Sequence, residues 1–250
     1  MRILAHAHTT WSHDGHLALD EWVAVARQRR IAAVLFSEHE ESGWTAERYA
    51  RYAAACRCAS TSDVALIPGI EFLQDGCHVL AFGLAEWPRR PCSAAELAAQ
   101  VEAQGSFLCL AHPGKYRWRI PTGLVAAAAA VEVWNSKWIY DGTLLGPHHR
   151  SLRLGRGKRL LAGQDVHRLG HLTSLFIETA GSSILADLRA GRYEFEQAGR
   201  RWPAEDLAAW RLRSWLQAAR FPALRLALTI HRWLRRVAGW TATPDAPAAP

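Results

Sequence analysis

The stretch Ile3-Leu4-Ala5-His6-Ala7-His8, continued by Ser12-His13-Asp14-Gly15, opens the chain with an apolar run that ends in paired histidines. The run predicts a short β-strand, in which side chains alternate between faces with period two. His6 and His8 then point the same way at the end of the strand and offer two imidazoles to one ion. A turn through Gly15 can bring the Asp14 carboxylate back toward the same place.

Working outward, short apolar runs alternate with helical patterns. Leu19 to Arg30 carries apolar residues at helical spacing, and Ile31 to Phe36 reads as a buried strand ending at Ser37-Glu38-His39. Thr45 is the expected N-cap of a helix from Ala46 to Cys58. Val64 to Ile67 is a strand ending in Pro68-Gly69-Ile70-Glu71, and Gly76 to Gly83 is another that carries His78. Ser93 with Glu96 three residues on forms a capping-box pattern for a helix to Gln104. Strands are then expected at Phe107 to Ala111, before His112-Pro113-Gly114, and into Trp134-Asn135. Later ones are expected at Arg159 to Ala162, before Gly163-Gln164-Asp165-Val166-His167, and at Ser174 to Glu178; Ile184 to Ala190 is a helix closed by Gly191. This alternation argues for an α/β fold with parallel strands. The histidines and acids gather just past strand ends, where barrel folds place functional side chains.

Taken together and in order, His6-x-His8 with Asp14-Gly15, Ser37-Glu38-His39, Gly69-Ile70-Glu71, His112-Pro113-Gly114 and Gly163-Gln164-Asp165-Val166-His167 resemble the motifs of the PHP (polymerase and histidinol phosphatase) superfamily. The resemblance covers roughly residues 1–195. It implies a distorted (β/α)7 barrel that holds two or three divalent metal ions and hydrolyses phosphate mono- or diesters. By position it implies His6, His8, Glu71 and Asp165 on a first metal. Glu71, His78 and His112 fall on a second, with Glu71 shared, and Asp14, His39 and His167 on a third. Glu71, Asp165 and His112 are the expected catalytic centre. The family's usual Thr-Asp-His is Ser37-Glu38-His39 here, and Glu38 is expected to orient His39. An all His/Asp/Glu donor set suits Zn, Mn or Fe. Paired metals can make a shared water into hydroxide near neutral pH.

Lys115 and Arg117, with Arg119 close by, follow His112-Pro113-Gly114 and are candidate anchors for a substrate phosphate; the alternative is a solvated basic loop. Arg168 is a similar candidate. Asn135 either binds substrate or caps the segment after it. Trp11 and Trp138 either stack on a base or sugar or serve packing, and His13 and His171 are either proton donors or surface residues.

Half of the residues are hydrophobic and 21% are charged, an ordinary globular composition with no apolar run long enough to span a membrane. No apolar signal core precedes His6. The odd set Cys56, Cys58, Cys77, Cys92 and Cys109 lacks Cys-x-x-Cys spacing and reads as reduced thiols in a cytoplasmic protein. Net charge is +7, of which +5 falls in residues 201–250, where eight Arg face Glu205, Asp206 and Asp245. That region also holds five of the twelve tryptophans. We therefore expect a hydrolase domain over residues 1–200, an amphipathic, basic, Trp-rich helical extension over 201–242 and a disordered tail over 243–250. The extension packs on the barrel, joins a second subunit, lies peripherally on an anionic membrane or binds an acidic partner. Nucleic acid enters only as a substrate. Two other functions fit the same residues: a metal hydrolase acting on an amide or carboxyl ester, and a docking module whose metal site is structural.

Overall fold

The computed structural model describes residues 1–137, 142–143, 146–181 and 183–204. In chain order the elements are β1 (Arg2–Ala7), α1 (Leu19–Arg29), β2 (Ala33–Phe36), β3 (Glu38–His39), α2 (Ala46–Ala59), β4 (Ala65–Ile67), β5 (Gly69–Gln74), β6 (Cys77–Phe82) and α3 (Ala94–Ala103). They continue with β7 (Cys109–Leu110), α4 (Thr122–Ala127), β8 (Ala130–Asn135), β9 (Gly142–Thr143), β10 (Gly146–Pro147) and α5 (His149–Leu154). The last are β11 (Arg159–Gly163), β12 (Leu175–Glu178), α6 (Ile184–Ala190), β13 (Glu194–Gln197) and β14 (Arg200–Pro203).

The helices start where the sequence provides partners for orphan backbone donors. Thr45 Oγ1 accepts the Arg48 N–H at 3.1 Å ahead of α2. Ser93 and Glu96 exchange both bonds of a capping box ahead of α3. In α1, Asp20 and Glu21 sit in the first turn and Arg27 and Arg29 in the last, matching the helix dipole. α1 buries Trp22, Val23 and Ala26, and the Trp22 indole N–H donates to the His8 carbonyl at 3.1 Å.

Two six-stranded sheets result, ordered β14-β13-β12-β1-β2-β4 and β11-β8-β7-β6-β5-β3; β9 and β10 form a small pair of their own. β1, β2 and β4 are parallel, as are β3 with β5 and β7, β8 and β11. The expected parallel order fails at β12, which is antiparallel to β1, and at β6, which is antiparallel to both β5 and β7. The cause at β6 is the Asp75-Gly76 turn: both residues have positive φ (51° and 75°), and Gln74 pairs directly with Cys77. That is a two-residue hairpin connection and not a crossover. Glu71 and His78 consequently lie inside paired strands and not beyond strand ends.

The sheets meet along two seams. β2 continues into β3 through Ser37, and β4 into β5 through Pro68. On the other side, Gln164 N–H donates to Ala5, Val166 N–H to His6 and His8 N–H to Val166, at 3.1, 3.1 and 2.8 Å. These bonds tie the end of β1 to the segment after β11. The core packed around the seams includes Ile3, Leu4, Trp22, Phe36, Tyr52 and Phe72, all fully buried. All five cysteines are free.

β13 and β14 extend the first sheet, so residues 201–203, expected to open the helical extension of 201–242, are instead strand, paired to β13; residues 205–250, which hold the rest of that extension and the expected tail, lie outside the described residues. Among the described residues no helix is long and apolar enough to cross a membrane.

Candidate metal centre

Glu71 stands at the middle of the site. It is fully buried, on β5, with His39 as its register partner on β3. Its Oε1 lies 2.6 Å from His78 Nδ1 and 2.9 Å from His112 Nε2. Its Oε2 lies 3.0 Å from His39 Nδ1 and 3.6 Å from Nε2 of both His6 and His8. Five imidazoles thus surround one carboxylate. Asp165 closes the far side, with Oδ1 at 3.6 Å from His6 Nε2 and 3.3 Å from His8 Nε2. Asp14 Oδ2 lies 3.5 Å from His39 Nε2 and 3.0 Å from His167 Nε2. All nine residues singled out in the sequence as ligands therefore come together.

The convergence of His6 and His8 does not come from simple strand alternation. The register of β1 against β2 shifts between Ala5 and Ala7, and His6 sits at that bulge with φ 62°. His112 (φ 25°) and Asp165 (φ 52°) are also left-handed. Such a backbone costs an L-residue about 1–2 kcal/mol and persists only where surrounding contacts over-determine it. Here the inter-sheet bonds of Ala5, His6 and Val166 hold it.

Charge follows burial and neighbours. Burial pushes His8 down to about 3, against the pull of Asp165 and Glu71, so it is a neutral donor at neutral pH. Burial also opposes charge on His6, but Glu132, Asp165 and Glu71 overcome it and hold its pKa well above the ordinary value. Burial would raise Glu71 and Asp165; adjacent histidines, His6 first, hold both well below the usual carboxylate range. Both acids are therefore anions inside the protein.

No family model and no curated protein matches the chain. Among solved structures it is similar to a two-domain protein from Bacteroides vulgatus containing a predicted PHP-like metal-dependent phosphoesterase, with a TM-score of 0.59 and 17% identity over 79% of this chain. The chain spans 64% of that protein's length. It is also similar to an amidohydrolase from Chromobacterium violaceum with bound sulfate and no metal, with a TM-score of 0.53 and 16% identity over 77% of this chain and 97% of that one. The chain has a PHP-like fold.

Within this PHP-like fold the residues fit divalent metals. The donors are all imidazole and carboxylate. Nε2 of His6 and of His8, Oε2 of Glu71 and Oδ1 of Asp14 are buried and make no well-aligned hydrogen bond. Buried polar atoms are rarely left so, and cations bound in the groups to which these atoms belong would satisfy them. Four overlapping groups have their donor atoms within 4.8 Å of one another: His6/His8/Asp165, His6/Glu71/His112, His8/Asp14/His39/His167 and His39/Glu41/His78.

The other candidates divide. Lys115 Nζ approaches His78 Nδ1 at 3.4 Å, on the rim of the site. Arg117 is exposed and Arg168 turns to His171 Nε2 at 3.0 Å. Asn135 takes the capping role of its two readings: it is fully buried, its amide donates to Glu132 Oε2, and its oxygen accepts the Lys137 N–H, both at 2.9 Å, so it braces the segment after β8. Trp11 packs against Tyr52 and Trp44, with ring centroids 5.5 and 6.2 Å away. Trp138 lies outside the described residues. Glu38 does not touch the His39 ring. It accepts bonds from Thr9 N–H at 3.0 Å and Ser12 Oγ at 2.5 Å, and Ser12 in turn accepts the His39 N–H at 2.9 Å.

Three residues escape a reading of strand ends. Glu41 Oε1 comes within 3.6 Å of His78 Nε2. Lys137 Nζ pairs with Asp165 Oδ2 at 3.2 Å. Glu132 lies in β8 with its carboxylate 2.9 Å from His6 Nδ1. The signal for Glu132 was present: an acid between Val131 and Val133, inside the apolar run Ala130 to Trp134.

Proposed function

We propose that the chain is a metal-dependent phosphoesterase acting on a phosphate mono- or diester, built on a distorted seven-stranded barrel of the PHP type. The observation that carries this is the ring of five imidazoles around Glu71, closed by Asp165 and continued by Asp14 and His167. His6, His8, Glu71 and Asp165 would hold a first divalent ion. Glu71, His78 and His112 would hold a second, and Asp14, His39 and His167 a third. Zn, Mn or Fe bound there would supply Lewis-acid charge and lower the pKa of water. Lys115 and Lys137 stand beside His78 and Asp165, and both suit the non-bridging oxygens of a phosphate. Asp14 is the most exposed of the nine, with 42% of its side chain accessible, and so marks the open side by which substrate enters. His13 borders that side, its ring 5.3 Å from His39, and can hold the proton that a leaving alkoxide needs.

A second reading, an amide or carboxyl ester hydrolase, draws on the likeness to the Chromobacterium violaceum amidohydrolase. One assay separates the two. Protein loaded with Mn or Zn should cleave an aryl phosphate or an aryl phosphodiester and leave aryl acetates and anilides intact. Asp165→Ala should reduce that turnover by at least about 10³-fold, because it removes a carboxylate shared by His6 and His8. Cleavage of the acetate or anilide alone would decide for the second reading.

A further inference from the structure

We infer that Glu132 is a positioning residue that aims His6 at the metals and holds the His112 backbone, so that one carboxylate sets the ligands of two metal positions. This rests on the metal-centre reading above. Glu132 is 1% exposed. Its Oε1 meets His6 Nδ1 at 2.9 Å. Its Oε2 accepts the His112 backbone N–H at 2.8 Å and the Asn135 amide at 2.9 Å.

The consequences follow from hydrogen-bond chemistry. With Nδ1–H donated to Glu132, Nε2, which faces Glu71 and Asp165, is the nitrogen free to exchange its proton for a metal. A carboxylate on the remote nitrogen fixes ring orientation and makes the imidazole a better donor. The bond to His112 N–H holds the backbone at φ 25°, where a residue without such an anchor would relax. Gly163 provides the space. A Cβ there would lie 1.8 Å from Glu132 Oε1 and 2.9 Å from His6 Cβ. The glycine that precedes Gln164-Asp165 therefore serves the carboxylate on the neighbouring strand.

Two variants test this. Glu132→Gln keeps the shape, but a single amide oxygen cannot serve His6 Nδ1–H and the two donors on Oε2 together. Gly163→Ala removes no polar group but displaces the Glu132 carboxylate. Zinc affinity is measured by competition with a chromophoric chelator, the cobalt-loaded absorption spectrum is recorded, and the metal-free proteins are melted. Both variants should lose about 10–100-fold in zinc affinity and shift the cobalt bands, while metal-free Glu132→Gln melts close to wild type. Wild-type affinity and spectrum in both variants would overturn the inference. So would a metal-free melting loss in Glu132→Gln large enough to account for the whole affinity change, since Glu132 would then be structural only. A wild-type protein that takes up no zinc would instead overturn the metal-centre reading itself, and this inference with it.

Discussion

Single residues carry most of the information about the site. Nine ligand candidates could be singled out from the chain because their short motifs, taken in order, resemble those of the PHP superfamily. Their neighbours could not, because a residue such as Lys137, just past β8, acquires its role from Asp165, just past the adjacent strand β11. The motif glycines explain themselves only in three dimensions. A Cβ on Gly69 would sit 2.2 Å from the Phe36 carbonyl and 2.7 Å from that of Ala81, because three strands close on that point. Gly69→Ala should therefore destabilise the protein by about 1–3 kcal/mol, the usual cost of overpacking. Urea unfolding reads this directly, and a variant with an unchanged midpoint would show that the strands are not so closely set.

At the scale of elements, helices were more legible than strand pairing. Thr45, Ser93 and Glu96 act at the caps where local chemistry puts them, since capping depends on residues within one turn. Asp75-Gly76 joins β5 to β6 as a hairpin, a local signal that was available but outweighed by the regular alternation around it. α6 shows how an element is tied down. Asp187 accepts from Thr179 Oγ1 at 2.5 Å and from Arg192 at 2.8 Å. The Thr179 hydroxyl first, and then Arg192, hold its carboxyl below the ordinary value of about 3.8. A depressed carboxyl stabilises the fold above its unfolded pKa, and this contribution disappears as pH falls through the folded one. The stability difference between wild type and Asp187→Asn should thus be constant above about pH 5 and shrink below about pH 4. Chemical denaturation at a series of pH values checks it; a difference that grows on acidification would reverse the sign of the argument.

At the scale of the whole molecule, the centre lies where the two sheets join, so whatever binds there also braces the seam. Metal bound at 100 times its dissociation constant adds about 2.7 kcal/mol. For a chain of this size that corresponds to about 5–10 °C in melting temperature. Calorimetry of metal-loaded protein before and after chelation should show a fall of this order, reversed when metal is restored. Equal melting temperatures would mean that the nine residues hold no ion that matters to the fold.

Local physics sufficed for the helix caps and for most strands and helices up to residue 190, because these depend on residues close in sequence; the nine convergent side chains were legible through short motifs in a recognisable order. Tertiary structure alone decided how those side chains meet. The bulge at His6, the turn of β6 against its neighbours, the carboxylate of Glu132 behind two ligands and the cation of Lys137 on Asp165 all arise between segments distant in the chain. Interactions of that kind depend on which strands lie side by side, and no periodicity within a strand records its neighbour.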